Sequence, residues 1–218
     1  MIEKIHFKKT LPSYRARPGM HQVLELPEMQ YLMIDGHGDP NTSPEYAGSL
    51  EALYPLAFAL KFSSKRELER DYVVPPLEGL WWAEDMSVFT SARDKSKWQW
   101  TLMLLVPEWI DQEMFAHAVT AVRARSSPAR LDAVRLEALT EGHCVQTLHV
   151  GPFDEEPRTI EPMHSEFMPS HGLEPTGKHH EVYLSDPRRV APEKLRTIIR
   201  QPVRRSPASA AAIVVEPR

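Results

Sequence analysis

Lys178-His179-His180-Glu181-Val182-Tyr183-Leu184-Ser185-Asp186-Pro187-Arg188-Arg189 reads as a short alternating strand closed by an Asp-Pro turn. Side chains along a strand point to opposite faces in turn, so His179, Glu181 and Tyr183 share one side while His180, Val182 and Leu184 take the other. With Val182 and Leu184 turned toward a helix-covered core, Glu181 stands in a polar and aromatic row on the opposite, open surface. The strand then presents one acid between two hydrogen-bonding neighbours.

Working outward, the elements around this strand follow an order that occurs twice. Gln30 to Asp35 reads as a buried strand closed by the Gly36-His37-Gly38-Asp39-Pro40 turn. Ser43 is placed to cap a helix, with Pro44 at its first position and Glu45 in its first turn. Leu50, Leu53, Tyr54, Ala57 and Leu60 recur at helical spacing and form its apolar stripe. Tyr72 to Trp82 is extended but interrupted by Pro75-Pro76, and Trp98 to Val106 is a further strand. After a connecting helix from Asp111 to Arg125, the order restarts: an extended stretch from Val134 to Val150, a Gly151-Pro152 break, and an acid-headed helix. Ile160, Met163, His164, Phe167 and Met168 make the apolar face of that helix. The Glu181 strand follows, and Thr197-Ile198-Ile199-Arg200 closes the unit. The tail from Ser206 to Ala212 is small and low in complexity, although Ile213-Val214-Val215 could add an edge strand.

Composition bounds the function. A formal net charge of -4 and only local basic pairs (Arg188-Arg189, Arg204-Arg205) exclude a protein built to wrap nucleic acid, so no direct nucleic-acid binding is expected. The residues ahead of Gln30 carry several prolines and are too few for a helix-turn-helix domain. The lone Cys144 permits no internal disulfide and suits a reducing cytoplasm. The first residues lack the apolar core of a signal peptide, and no run approaches the roughly 20 apolar residues of a membrane span. A cytoplasmic protein with no membrane association is expected. His143, Cys144 and His149 do not converge at a recognised ligand spacing, and His179 and His180 point apart, so neither metal nor cofactor is expected.

The repeated order, together with Glu78-Gly79-Leu80-Trp81-Trp82, the turn His149-Val150-Gly151-Pro152-Phe153, and the stretch from His179 through Ser185-Asp186-Pro187-Arg188-Arg189 to Pro192-Glu193-Lys194-Leu195, resembles the GyrI-like small-molecule-binding family. The resemblance implies an α+β fold built from a duplicated strand-helix-strand-strand module, with an antiparallel sheet, helices on one side, and a ligand groove at the module junction. On that reading residues 1–28 are an N-terminal extension, 29–203 the domain (repeats at about 29–106 and 134–203) and 204–218 a tail. It also implies a groove acid among aromatics, at the position of Glu181. The family includes effector domains of regulators, free-standing binders linked to drug resistance, and a branch of cyclopropanoid hydrolases; this chain looks most like the free-standing branch.

The residues support two chemistries. A desolvated carboxylate becomes a better base near neutrality, so Glu181 can activate water while Tyr183 or His179 donates to an oxygen that gains charge. Alternatively, Glu181 beside ring faces can anchor an organic cation for sequestration, with a protein partner possible. A solvated strand carboxylate in an ion pair is the plain third reading. Trp98 and Trp100 are placed on one face, and of Trp81 and Trp82 only one can line the groove; each tryptophan serves a core as readily as a pocket. Tyr54 and Met163 are candidate walls on facing helices, although a helix stripe more often packs a core. The expected ligand is a hydrophobic small molecule.

Overall fold

The computed structural model describes residues 3–84 and 94–207; the stretch Ile213–Val215 lies outside them. In chain order the elements are β1 (Lys4–Ile5), α1 (Phe7–Thr10), a tight turn at Pro12–Tyr14, β2 (Gln22–Leu26), β3 (Met29–His37), α2 (Pro44–Glu67), β4 (Asp71–Tyr72), β5 (Leu77–Trp82), β6 (Gln99–Leu105) and α3 (Gln112–Arg125). Next come β7 (Arg135–Leu139), β8 (Gly142–Val150), α4 (Pro157–Pro162), a π turn (Met163–Phe167), α5 (Met168–Ser170), β9 (Leu173–Pro175), β10 (His179–Tyr183) and β11 (Arg196–Arg205). No helix among them is long and apolar enough to cross a membrane.

The fold is α+β, and its main sheet runs β2-β8-β11-β10-β5-β6-β3-β7 with antiparallel ladders, while β9 pairs with the far end of β11. The central six strands are a palindrome: first, third and second strands of one module meet second, third and first strands of the other. The seam is the pair β10 and β5, in which Glu181 faces Gly79 and His179 faces Trp81.

The extended stretch from Val134 to Val150 is two strands rather than one, and the bend between them has a purpose. β2 and β3 are separated only by Pro27 and Glu28, and β7 and β8 only by Thr140 and Glu141, yet each pair occupies opposite margins of the sheet. Leu26 opposes Gly142 on one margin and Met29 opposes Leu139 on the other. Two long bent strands therefore lace the margins together, β2 covering the outer edge of β8 and β7 that of β3.

Ser43 Oγ accepts from the Tyr46 amide, capping α2 as its sequence implies. Leu53, Leu56, Ala57 and Leu60 of α2 are fully or almost fully buried against Leu32, Ile34, Leu102 and Leu104 of the sheet. The second module uses α4, the π turn and α5, whose Met163 and Met168 bury against Val145, Ile199 and Val203. Because Ile199 opposes Glu181 in register, this cover lies on the Glu181 face. The expectation that helices cover the Val182 side is thus reversed. Strand alternation fixes which side chains share a face, but only the crossover connections decide which face the helices take. Val182, with Ile198 and Leu148, is covered by the N-terminal segment through Tyr14, Leu11 and Phe7.

Candidate functional site

Both helical covers lie on one face but part above the seam between the modules, leaving a groove of about 1160 Å³ over β5 and β10. Its floor carries Trp81, Glu181 and Tyr183. One wall is Tyr46, Leu50 and Tyr54 of α2, and the other is Phe153 and Glu156 from the turn before α4; Trp98 closes one end and Asp186 with Arg188 the other.

On the floor a directional chain forms. Trp81 Nε1 donates to the Tyr183 hydroxyl at 2.9 Å, and that hydroxyl donates to Glu181 Oε2 at 2.7 Å. Gly79 makes this possible: a Cβ there would lie 2.8 Å from Trp81 Nε1 and 3.2 Å from the Tyr183 oxygen. Burial, with the Glu181 charge beside it, holds the Tyr183 phenol well above its ordinary pKa, so it stays protonated. The rings are set edge to face around this chain, Trp98 on Trp81 at 5.7 Å between centroids and Phe153 on Tyr183 at the same separation.

In the sequence Glu156 is one of three acids at a helix start. Its side chain is buried at the groove wall, beside Glu181 and the Thr197 hydroxyl. Burial first, and the neighbouring Glu181 charge second, push its carboxyl well above the ordinary value. Among the described residues Glu156 Oε1 and Thr197 Oγ1 are buried without a hydrogen-bond partner. His149 fixes the turn that carries Phe153 and Glu156: one ring nitrogen lies 3.0 Å from the Pro152 carbonyl and the other 2.9 Å from the Thr159 hydroxyl. The legible signal was an excess of charge, since Asp154, Glu155 and Glu156 exceed what one short helix start needs. Tyr46 went unnoticed because the polar end of a helix stripe carries no mark of what it faces.

Of the other sequence candidates, Glu181, Tyr183, Trp81, Trp98 and Tyr54 all line the groove. His179 touches Glu181, with Nε2 3.4 Å from Oε1, but is not a wall residue. Trp100 is not a wall either: it is fully buried and lies flat over Gly36, where a Cβ would fall 2.0 Å from its ring. Trp82 is on the reverse face, its ring 3.2 Å from Lys178 Nζ. Met163 is fully buried in the core of the second module. For the strand residues among them, alternation gives the face but not what covers it. Among the described residues no group of three or more His, Cys, Asp or Glu side chains is placed to hold a metal.

Residues 20–204 match the GyrI-like small molecule binding domain. The chain belongs to the GyrI-like family. This GyrI-like protein is similar to three Listeria innocua proteins of known crystal structure. A protein described as uncharacterized and conserved is 41% identical, with a TM-score of 0.84 over 92% of this chain and 100% of that one. Two described as hydrolases are each 38% identical, with TM-scores of 0.83 and 0.80 over 93% and 92% of this chain and 100% of theirs. No curated protein matches it significantly.

Proposed function

We propose that this GyrI-like protein is a cofactor-independent hydrolase of a hydrophobic, electrophilic small molecule of the cyclopropane type, with Glu181 as the water-activating base. The observation that carries this reading is the Glu181 carboxylate on the floor of an aromatic groove, with Oε2 accepting from Tyr183 and Oε1 3.4 Å from His179 Nε2. The likeness to two Listeria proteins described as hydrolases supports it.

In a cyclopropane conjugated to a dienone, water must attack a ring carbon while charge moves to the carbonyl oxygen. Glu181 takes the water proton. Tyr183 serves differently from what the sequence suggested: its proton is committed to Glu181 and its lone pair to Trp81 Nε1–H, so it orients the base rather than the substrate carbonyl. Trp81, Trp98, Tyr46 and Phe153 offer the ring faces and edges between which a flat, apolar substrate can stack and be held away from bulk water.

The second reading is sequestration without turnover. It is favoured by the same rings, because a carboxylate among aromatic faces also suits an organic cation. Glu181→Gln separates the two, since it preserves size and removes the basic oxygen. For a hydrolase the variant binds a neutral cyclopropane dienone with parental affinity and loses on the order of 100-fold in turnover. Full turnover by the folded variant, read as hydrated product, would exclude Glu181 as base; selective loss of cationic ligands would favour sequestration.

A further inference from the structure

We propose that the N-terminal strap gives the groove an anion subsite, in which Lys8 and Lys9 receive a carboxylate tail of the ligand while its uncharged electrophilic end lies over Glu181. This subsite deepens the hydrolytic reading above by naming the substrate class, an amphipathic acid, and rests on that reading only for the electrophilic end. His6 to Lys9 line the groove, although they lie ahead of residues 20–204, which match the family domain. The family domain alone therefore does not supply this wall.

The strap is held in place from both sides. Upstream, β1 pairs with β4 and the Val73 amide donates to the Ile5 carbonyl at 2.9 Å. Downstream, Tyr14 donates to Glu78 and Arg200 to the Ser13 carbonyl at the back of the sheet. Between these ties Phe7 packs on Tyr72 and Trp109, with ring centroids 6.2 and 6.4 Å away. The two lysines thus stand on an ordered segment, and their backbone has little freedom left to lose when a ligand engages them.

Their charge is unmet. Lys8 Nζ donates to the Leu184 carbonyl at 2.8 Å, and an ammonium has three N–H donors, so two remain for a ligand. Among the described residues neither Lys8 nor Lys9 forms an ion pair, and the charge that Lys8 meets is another cation, Arg196. Burial first, and Arg196 second, lower the Lys8 pKa; a bound carboxylate would oppose both effects. The acids nearby do not serve instead. Asp186 is taken by Arg188, which meets its two oxygens at 3.0 and 2.9 Å, with Arg189 at 3.6 Å. Glu51 lines the groove from α2 but is exposed, where water screens it.

Position and charge together define the ligand. Leu184 follows Glu181 by three residues, so the anchored ammonium lies roughly 10 Å of extended chain from the reacting end. Leu77 at the start of β5, and Tyr54 near Asp186 and Arg188, give the groove apolar surface on that side. A carboxylate is drawn to the strap and repelled by Glu181 and by Asp154 near the opposite end, which allows one direction of binding.

The test follows quenching of tryptophan fluorescence in the full chain by two spiro-cyclopropane cyclohexadienones whose arms, about 10 Å long, end in a carboxylate or in the isosteric carboxamide. The parent should bind the carboxylate probe on the order of 10-fold more tightly, and the advantage should shrink as salt is raised. Lys8→Gln, which keeps a donor for Leu184, and Lys9→Gln should each lower the ratio of the two affinities, and the double variant should bring the affinities together. Lys8→Arg should retain the preference. A strap that merely holds the fold would weaken both probes alike in these variants and leave their ratio intact. That result overturns the proposal, as does equal affinity of the parent for the two probes or a preference insensitive to salt. A carboxylate preference lost in the double variant, with neither probe hydrated by the parent, supports the subsite and overturns the hydrolytic reading.

Discussion

A missing Cβ at Gly79 sets the geometry on which the Trp81–Tyr183–Glu181 chain depends. Gly79→Ala places a methyl group inside normal contact with the Trp81 indole nitrogen and close to the Tyr183 oxygen. Neither ring can yield freely, since Trp81 is packed by Trp98 and Tyr183 by Phe153. The chain should open by several tenths of an ångström, misorienting the base. The expected outcome is a folded protein with turnover of a cyclopropane probe reduced on the order of 100-fold, because small misplacements of a reacting group carry such costs. Parental kcat in Gly79→Ala would mean that the chain is not part of the chemistry.

At the scale of elements, β10 works on both of its faces. While Glu181 faces the groove, His180 behind it places its two ring nitrogens 3.0 Å from Glu78 and 2.9 Å from Glu141, and Arg200 of β11 meets Glu141 at 2.9 Å. All four side chains are almost wholly buried. Burial disfavours the His180 imidazolium, but the Glu141 charge and the carboxylate hydrogen bonds outweigh it, so its pKa is raised. Burial likewise disfavours ionised Glu141, and His180 with Arg200 more than reverses this, holding it down at about 2. The signs follow. A raised His180 contributes stability that is complete below its unfolded pKa near 6.5 and is lost as pH rises through the folded value. A depressed Glu141 contributes stability present above its unfolded value of 4.5 and lost as pH falls toward about 2. The network is therefore strongest in the mildly acidic window between them. His180→Gln should lower the thermal midpoint most in that window, and the gap from the parent should shrink at alkaline pH. A gap that does not change with pH would contradict the assignment of charge to His180.

For the molecule as a whole, the N-terminal segment holds the reverse of the sheet closed. Tyr14 donates to Glu78 at 2.6 Å, Arg200 donates to the Ser13 carbonyl at 2.7 Å and Gln146 to the Arg15 carbonyl at 2.9 Å. Upstream, β1 pairs in parallel with β4, and Lys8 Nζ reaches the Leu184 carbonyl just past β10 at 2.8 Å. His6 to Lys9 also line part of the groove, so one segment touches both faces. Tyr14→Phe removes the donor from a buried carboxylate and leaves that charge short of a partner. A destabilisation of about 1–3 kcal/mol is expected in chemical denaturation, with the ring packing retained. An unchanged denaturation midpoint would mean that the strap contributes little to closing the sheet.

Much of this was written in local sequence. The α2 cap at Ser43, the stripe through Leu53, Ala57 and Leu60, the alternation of His179 to Tyr183 and the repeated element order depend on residue type and spacing, and these fixed the α+β class, the duplication and the face on which Glu181 lies. What covers each face was not so written. A strand with polar and apolar rows reads the same whether the helices lie above one row or the other, and the crossovers put them above Glu181, parted enough to leave a groove. Trp98 and Trp100 share a face by alternation, yet Trp98 stands at the groove while Trp100 disappears over Gly36. Glu156 and Glu181 are separated by α4, the π turn, α5 and β9; only the pairing of β10 with β11 and the His149-anchored turn bring the second carboxyl beside the first. Periodicity is local and survives in the sequence, whereas proximity between distant residues is set by the packing of whole elements and has no local trace.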